Sequence, residues 1–600
     1  MKLAAMLTMS IVLALVASAV GQVRNQAAEA ALDEHVAGLI EQLGDPQFAV
    51  RRRAQQELSK HGFEAFDALL EAENSDDPEI AMQAGYLVRQ IRAAWTRDTD
   101  PRPIQRILQN YEVQNDERRL TKIKQLAALP GDQGLRWLCR LMRFERSGVL
   151  SKQASLAIMN EEPRDEAAWT RRAETIHKEL ARARRPAARW LDAYLQAHSD
   201  PAGALEKWSE LARAERQTLE QHPRETSSPI VLALLRRQVE LLDRLGRTDE
   251  TGEVMRQMVL SERGDSVSLT ELIDWFVGRK SWDMIDLVAD RFRASFEVDA
   301  VLMYSLCEAR LAQGDRELAE KTAEKALKIG GDSQEDHWGL ANRLTDRGLT
   351  RWADHEWRHV LALGPMGTRW DIVARDVLAA GLHDRGLDHQ AADLIKQLVD
   401  AADNDPAVTQ LIRGAQQLGG KINPMRAKVS FYLACHAAAR DDPARQRELL
   451  EKALEQDQEN VEVLIGMYEV TADDPENRAE LIKLIREVID ACRAQIEDQP
   501  ELPVYYNQIA WLVANTEGDV GEAIELSRKS IELARESGDS PHRVGGLLDT
   551  LAHCYYAKKD YASAVKYQQE AAQLDSHTQS IERALVRFRE ALAKQRADGK

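Results

Sequence analysis

Seven positions of this sequence recur about 34 residues further along the chain as small or apolar residues, with one exception at His337. The first set is Met303, Leu306, Cys307, Gly314, Ala319, Ala323 and Ala326, and the second is His337, Leu340, Ala341, Gly348, Ala353, Trp357 and Val360. A period of this length predicts a repeated unit made of a helix, a tight turn that starts at the glycine, and a second helix. One such hairpin cannot cover its own apolar face, so stacked neighbours must supply the core. We therefore expect an all-α fold, an α-solenoid in which helical hairpins form a superhelical array.

The composition agrees with a helical protein. Glycine (32) and proline (18), which punctuate turns and strands, together make up about 8% of the 600 residues, below the usual level of roughly 12%. Apolar residues make up 44% and charged residues 30%, which excludes wholesale disorder and a polytopic membrane protein.

Further copies of the unit occur toward the C-terminus and, less regularly, elsewhere. The clearest contains Leu548, Leu551, Ala552 and Tyr555 on a first helix and Ala564 and Ala571 on a second. This period and this placing of small residues resemble the tetratricopeptide (TPR) repeat over residues 186–580, followed by a capping helix and tail at 581–600. Residues 222–299 and 461–503 have the right length for further units but match the pattern poorly. The resemblance implies a long concave surface that grips a peptide, a helix or another protein.

A second, shorter repeat lies in the N-terminal part. Residues 45–50 (DPQFAV) are matched 32 residues later by residues 77–82 (DPEIAM). An Asp-Pro step suits the start of a helix, since Asp can cap it and Pro fits its first turn. Phe48, Val50, Ala54 and Leu58 then line much of one helical face, which we expect to be buried. The pattern resembles the HEAT and armadillo class of helical hairpins, and we assign residues 30–185 to HEAT-like repeats.

In the TPR family the first helix of each unit lines the concave side, and this decides which residues could face a partner. By register these are Tyr304, Glu308, Trp338, Asn342, His553 and Tyr556. Aromatic rings with a few hydrogen-bonding groups suit peptide contacts, although each residue could instead pack against the next unit. The basic clamp that the family uses for terminal carboxylates is not apparent, because no lysines or arginines accompany Asn342 at inward positions.

One motif indicates catalysis. His355, Glu356 and His359 form an H-E-x-x-H sequence, which on a helix can bind zinc through both histidines while the glutamate serves as general base. The repeat register argues against a zinc hydrolase. Trp357 occupies an apolar core position on the second helix of the unit that begins near His337, so both histidines of the motif fall on the wetter side of that helix. A third ligand at a familiar spacing is also missing, and Arg358 stands where such peptidases carry an uncharged residue. We expect no metal, no cofactor and no enzymatic activity, and keep the zinc hydrolase as an alternative.

Residues 1–21 have the layout of a secretory signal peptide. Lys2 precedes an apolar stretch from Leu3 to Val16, and small residues follow at 17–19. We therefore expect a periplasmic or secreted protein, with no membrane anchor left once this segment is removed. Five widely spaced cysteines without a C-x-x-C pair favour buried free thiols over a disulfide scaffold or a zinc site.

Negative charge is concentrated in the C-terminal two-thirds of the chain. The formal net charge is −18, and residues 191–600 hold 52 basic against 72 acidic side chains. Such a surface repels phosphate backbones, which argues against a nucleic-acid partner. The basic run from Arg171 to Arg185 is interpreted as a solvated helix face, with a docking patch for acidic partners as the alternative.

Together these patterns predict an exported, non-catalytic scaffold or adapter that binds a protein or peptide partner along its concave surface. A zinc-dependent hydrolase and a structural component of the cell envelope are the alternatives. The sequence leaves the oligomeric state and the identity of the partner open.

Overall fold

A computed structural model describes residues 31–91, 95–180, 183–329, 331–415 and 420–598 of the chain. The predicted signal peptide lies outside these residues. Within them all regular secondary structure is helical, which confirms the all-α prediction. The chain divides into two compact units: unit 1 ends at Leu272 and unit 2 begins at Ile273. The predicted boundary at 185/186 concerns the type of repeat and stays a prediction.

Many successive helices pack against each other in pairs. The helices of unit 1 are α1 (residues 31–41), α2 (Phe48–His61), α3 (Phe66–Ala72), α4 (Pro78–Gln90), α5 (Arg102–Leu108), α6 (Asp116–Ala127), α7 (Leu135–Phe144), α8 (Gly148–Met159), α9 (Glu166–Leu180), α10 (Pro186–Ser199), α11 (Pro201–Gln221), α12 (Ser228–Arg244) and α13 (Thr248–Ser261). The boundary between the units falls inside α14 (Ser266–Gly278). Short 3-10 helices occur at Gln42–Gly44, Gly62–Glu64, Tyr111–Val113 and Pro130–Asp132.

Unit 2 continues with longer and more regular hairpins. Its helices are α15 (Trp282–Arg291), α16 (Arg293–Phe296), α17 (Ala300–Ala312), α18 (Arg316–Ile329), α19 (Gln334–Asp346), α20 (Thr350–Leu363), α21 (Arg369–Asp384), α22 (Asp388–Asn404), α23 (Pro406–Gly414), α24 (Asn423–Ala438), α25 (Pro443–Gln456), α26 (Val461–Val470), α27 (Pro475–Asp498), α28 (Pro503–Asn515), α29 (Val520–Glu536), α30 (Pro541–Ala557), α31 (Tyr561–Leu574) and α32 (Gln579–Asp598). Many begin with a capping side chain followed by proline, as at Asp200, Asp405, Asp442, Asp474 and Ser540.

Four turns between paired helices have the same backbone geometry and recur at the period of the sequence pattern, about 34 residues. Each contains one residue in the left-handed region, and these are Gly246, Lys280, Gly314 and Gly348, with φ of 70, 58, 91 and 71°. The residue that follows each of them donates its N–H to the carbonyl five positions earlier, at 2.9 Å in all four turns. This bond closes the first helix as a Schellman motif, in which glycine is favoured because it has no Cβ.

Two of these turns lie in the stretch 222–299, which matches the sequence pattern poorly. α12 and α13 meet at Gly246, and α14 and α15 meet at Lys280. The stretch is therefore made of units with the same period as those that follow it. The second of these units has Lys280 where the other turns have glycine, which explains its poor match to the sequence pattern.

Burial confirms the predicted register of the units at 300–363. Ala319, Ala326 and Ala341 are completely buried within the hairpins, and Trp357 and Val360 are buried with them. Burying a side chain of valine or leucine size contributes roughly 1.5–3 kcal/mol. The buried interior of the hairpins thus contributes to the stability of the array.

In unit 1, one of the two Asp-Pro steps caps a helix as predicted. The Asp77 carboxylate accepts from the backbone N–H groups of Glu79 and Ile80, at 2.8 and 3.3 Å, in the first turn of α4. The Asp45 carboxylate instead accepts from the Gln47 N–H at 2.7 Å, one residue before α2 begins. The two hexapeptides are similar in sequence, but only the second caps its helix in the predicted way. The HEAT-like assignment of residues 30–185 stays a prediction.

The expectation for the buried face of α2 is wrong at one position. Ala54 and Leu58 are completely buried and Val50 is partly buried, but Phe48 is 67% exposed. The Arg51 guanidinium lies 5.8 Å from the centre of the Phe48 ring. Phe48 is the first residue of α2, so its side chain lies before the part of the helix that packs into the core.

Arg172, in the basic run of unit 1, is buried. It is 3% exposed and donates to the carboxylate of Asp132, to the carbonyls of Ile158 and Glu161, and to the Tyr194 hydroxyl. Neither interpretation of the run as a surface therefore holds at this position.

Arg185, at the end of the same run, is also buried. It donates to the main-chain carbonyls of Met142, Arg143 and Glu145. Burial lowers the pKa of Arg185 to about 10, which leaves the guanidinium charged at neutral pH. Arg172 and Arg185 thus form buried hydrogen bonds to neighbouring segments of unit 1, whereas Arg171 is exposed.

All five cysteines are free thiols, as predicted. Cys139, Cys307, Cys492 and Cys554 are buried, and Cys435 is partly buried. Burial raises the pKa of Cys435 and of Cys554 to about 12, so both stay protonated at neutral pH and act as small apolar groups.

Candidate binding cleft in unit 2

A cleft of about 1120 Å³ opens within unit 2. Its lining comes from five helices, α21, α24, α26, α28 and α30, together with one face of α20, the turn between α19 and α20, and the start of α32 with the loop before it. These five helices are the first helices of five successive hairpins, which are the ones that the TPR resemblance places on the inner side. The cleft exceeds the range of roughly 300–1000 Å³ that is usual for small-molecule pockets.

The cleft is closed on one side because α32 returns to α21. The carboxylate of Asp384, the last residue of α21, accepts from the backbone N–H groups of Gln579 and Ser580 at 2.8 Å each. The Arg583 side chain donates to the Asp384 carbonyl oxygen at 2.9 Å. Asp384 thus supplies the N-terminal cap of a helix that begins 195 residues later in the chain.

A second closing contact lies at the turn between α19 and α20. A Cβ on Gly348 would come within 2.2 Å of Nε2 of His577, so the imidazole packs directly on the main chain of the turn. The loop that carries His577 is held by Asp575, which accepts from the Thr578 hydroxyl at 2.7 Å and contacts Nδ1 of His542 at 3.0 Å. The hydrogen bond with Asp575 raises the pKa of His542.

Five carboxylates line the cleft, and three of them pair with a lysine or arginine. The pairs are Asp354 with Arg385 at 3.3 Å, Asp376 with Lys428, and Asp384 with Arg583 at 3.8 Å. Among the described residues, no lysine or arginine lies within ion-pair distance of the other two, Glu462 and Asp549. The Glu462 carboxylate accepts from Nε1–H of Trp511 at 2.9 Å.

His553 is a buried histidine on the wall of the cleft. Its Nε2 accepts from Arg587 at 2.8 Å, so the ring proton is on Nδ1, which donates to the Asp549 carbonyl at 3.0 Å. Burial lowers the pKa of His553, which therefore stays neutral at neutral pH. The Arg587 guanidinium also lies 5.3 and 5.2 Å from the ring centres of Tyr556 and Phe588.

Of the six contact residues predicted from the sequence, one lines the cleft and the other five lie outside its lining. His553 lines the cleft, and Tyr556, one turn further along α30, stacks on Phe588 with ring centres 4.5 Å apart. Trp338 lies outside the cleft lining, with its ring centre 4.8 Å from that of Trp370. Asn342 donates its side-chain amide to the Trp338 carbonyl at 2.9 Å, within α19. As partner contacts these residues stay predictions.

The other two predicted contacts face neighbouring helices. Tyr304 is only 4% exposed and its hydroxyl donates to Glu356, which leaves it almost no surface for a partner. Glu308 pairs with Arg347 at 2.5 Å. Burial raises the pKa of Glu308, and the Arg347 charge opposes that shift. For both residues, packing against the next unit is the arrangement found.

The H-E-x-x-H motif does not form the arrangement that zinc chemistry needs. Glu356 is completely buried, and its two carboxylate oxygens contact the Tyr304 hydroxyl and Nδ1 of His337. His355 is exposed, while the ring of His359 lies 4.5 Å from that of His337. In the part of the chain that the structure describes, no group of three or more His, Cys, Asp or Glu side chains could hold a metal ion. Glu356 is placed as a buried acceptor, away from any water that a general base would activate.

The cluster of Tyr304, His337 and Glu356 was not predicted from the sequence. Its one visible signal is His337, the polar exception in the repeated pattern. His337 is completely buried, and its Nε2 donates to the Gly331 carbonyl at 2.9 Å. A polar residue at a core position of a repeat therefore indicates a buried partner in a neighbouring helix.

No family model and no curated protein match this chain. Among solved structures it is similar to the yeast protein Tom70, at 13% identity over 80% of this chain and 97% of that chain, with a TM-score of 0.27. It is also similar to the Cut9–Hcn1 hetero-tetramer of the APC/C, at 12% identity over 80% and 92%, with a TM-score of 0.23. The TPR domain of P58(IPK) matches at 14% identity over 55% and 98%, with a TM-score of 0.16.

At these TM-scores the similarities do not indicate a binding site. The hairpins themselves are TPR-like helical repeats, because paired helices joined by a left-handed turn recur with the TPR period of about 34 residues. None of the described helices combines the length and the apolarity that crossing a membrane requires.

Replacing Asp384 by alanine is expected to loosen the start of α32. Gln579 and Ser580 then lose their acceptor, and the loss of such a cap costs about 0.5–2 kcal/mol. Hydrogen exchange of the first-turn amides of α32 measures this loss. Asp498, the exposed last residue of α27, is the matched control, and Asp498→Ala should leave these amides unchanged. Equal exchange in the two variants would contradict the closing role of Asp384.

Proposed function

We propose that this chain is a helical-repeat scaffold or adapter that holds an extended segment of a protein partner in the cleft of unit 2. The observation that carries this proposal is the lining of the cleft by the first helices of five successive hairpins. A cleft of about 1120 Å³ with polar and aromatic walls has room for several residues of a peptide.

The charge of the chain supports a protein partner over a nucleic acid. Residues 191–600, which include all of unit 2, hold 72 acidic and 52 basic side chains. A phosphate backbone would be repelled by this surface, whereas a peptide brings its own complementary side chains. The exposed main-chain and side-chain groups of an extended peptide can also use the amide, hydroxyl and indole groups of the walls.

The signal-peptide pattern of residues 1–21 supports a place in the periplasm or outside the cell. The partner in this proposal is therefore a protein of the envelope or of the extracellular space. The alternative is a purely structural role in the envelope, without a specific partner. A crosslinking experiment distinguishes this role from that of an adapter.

Site-specific photo-crosslinking tests whether the cleft holds a partner. Ala380 is exposed and lines the cleft, and Ala362 is exposed on α20 outside it, so both accept a photoreactive residue without loss of packing. Crosslinking in cells should join position 380, but not position 362, to one defined peptide of one protein. The same assay with Trp338→Ala and Tyr556→Ala tests the contacts predicted from sequence. Equal yields at both positions, or none at position 380, would contradict the proposal.

A further inference from the structure

Glu462 and Asp549 are the two carboxylates of the cleft without a lysine or arginine partner among the described residues, and Glu462 is the more exposed of the two. Glu462 is the second residue of α26, and its side chain is open to the water of the cleft. The one hydrogen bond that it accepts comes from the neutral Nε1–H of Trp511. Three other cleft carboxylates already have a lysine or arginine. Glu462 is therefore a negative charge that the described part of the chain leaves without a cation.

The surroundings of Glu462 make this lack of a cation costly. Although the side chain reaches water, protein surrounds it closely, and this desolvation raises the pKa of Glu462. The carboxylates of Asp549 and Glu469 raise it further, while the Trp511 hydrogen bond and the nearby His383 oppose the shift. A positive charge brought into contact with Glu462 would relieve both the desolvation and the repulsion.

The cations of the cleft are held elsewhere. Arg587 donates to His553 and lies against aromatic rings. Lys428 is bound by Asp376, and Nδ1 of His383 contacts the carboxylate of Asp388 at 2.5 Å. Each of these groups has a partner other than Glu462 in the structure.

Aromatic rings stand beside Glu462. Trp511 is half-buried and donates to it, and Tyr432, on α24, also lines the cleft. Burial raises the pKa of Tyr432, and the charges of Asp376 and Glu462 add to that shift, so its hydroxyl lies in a negative potential. Phe431 lines the cleft next to Tyr432, with their ring centres 5.8 Å apart. A carboxylate with aromatic rings beside it is the arrangement that attracts an ammonium or guanidinium group.

We propose that Glu462 binds one basic side chain, a lysine or an arginine, of the peptide segment that occupies the cleft, with Trp511 and Tyr432 flanking the cationic group. This inference rests on the proposed function and adds to it the chemistry of the partner. The carboxylate supplies the ion pair, and the rings exclude water from it and contact the alkyl stem. The partner segment is therefore basic at one position, in contrast to the acidic surface of this chain.

Binding of defined peptide pools tests the inference with the full-length chain. Each pool contains octapeptides with blocked ends, mixed at all positions except one central residue, which is fixed as lysine, arginine, citrulline or norleucine. The wild type should bind the lysine or the arginine pool about tenfold more tightly than the citrulline and norleucine pools. Glu462→Gln keeps an acceptor for Trp511 and should lose this preference. Its binding of the norleucine pool should be unchanged.

Glu455→Gln is the matched control, because Glu455 is exposed on the neighbouring α25 and does not line the cleft. It should keep the preference for a basic residue. Binding of all pools without a preference would contradict the inference and leave the proposed function standing, whereas no binding of any pool, together with no crosslink from position 380, would contradict both. Competition by spermidine as effective as that of the lysine pool would show a site for free polycations and would also overturn the inference.

Discussion

Replacing Glu356 by leucine is expected to lower the free energy of unfolding of unit 2 by about 3–5 kcal/mol. Glu356 and His337 are both completely buried and bound to each other, and removing one partner of such a pair leaves the other without compensation. The Tyr304 hydroxyl would lose its acceptor at the same time. These costs arise in the buried interior of unit 2, where the lost bonds are not readily replaced by bonds to solvent.

The protons of this cluster explain why glutamine should be tolerated better than leucine. Nε2 of His337 faces the Gly331 carbonyl, which can only accept, so Nε2 carries a hydrogen. One hydrogen lies between Nδ1 and the Glu356 carboxylate, because two lone pairs cannot face each other at contact distance. In Glu356→Gln the amide can donate to Nδ1 and accept from Tyr304, so the cost should fall to about 0.5–1.5 kcal/mol.

Hydrogen exchange of the amides of α19 and α20, together with denaturant unfolding, measures these losses, because stability in a repeat array is largely local. His355→Ala is the control, since this exposed residue of the same motif should change stability by no more than about 0.5 kcal/mol. The same variants decide between a structural and a metal-binding role. A stoichiometric zinc content that His355→Ala abolishes, with little effect of Glu356→Leu on stability, would overturn the structural role of the motif.

Replacing Arg172 by methionine is expected to destabilise unit 1 by about 3–5 kcal/mol. The side chain of Arg172 is 3% exposed and donates to Asp132, to two main-chain carbonyls and to a tyrosine hydroxyl. Methionine fills a similar volume but leaves the Asp132 carboxylate and the other acceptors without a donor. Thermal and denaturant unfolding of the full chain, followed by hydrogen exchange in α8 and α9, would locate the loss.

The neighbouring residue provides a strict control for Arg172. Arg171 is exposed, and Arg171→Met should change stability by no more than about 0.5 kcal/mol, although it removes the same charge one position away. Arg172→Lys keeps the charge but not the planar fork of donors, and should fall between the two methionine variants. If both methionine variants had the same small effect, the basic run would be a solvated face after all.

The hairpins could be predicted from the sequence because their packing is local. The repeat period and the turn glycines Gly314 and Gly348 depend on contacts within one unit or between neighbours. The unit around Lys280 matched the pattern poorly, because a lysine in a left-handed turn cannot be distinguished by sequence from an exposed helical lysine. Local patterns predict the repeat and fail where a residue adopts a conformation unusual for its type.

The candidate site was predicted less well because its contacts join distant parts of the chain. Asp384 and the start of α32 are 195 residues apart, and nothing in either segment alone indicates the other. Arg172 shows the same limit in unit 1, since a buried arginine and a solvated one look alike in a charge run. The register did predict that Trp357 is buried, but not that Glu356 beside it reaches a histidine on another helix.

The contact between Asp384 and α32 also restricts how this protein can change in length. Repeat proteins commonly gain or lose whole units, since each unit contacts only its neighbours. Between α21 and α32 this freedom is lost, because one additional hairpin would displace the start of α32 by about the 8–10 Å that separate packed helices, far beyond hydrogen-bond reach of Asp384. Duplication or deletion of a hairpin within this segment is therefore expected to break the closure, so the copy number of the repeat sets the internal width of the cleft.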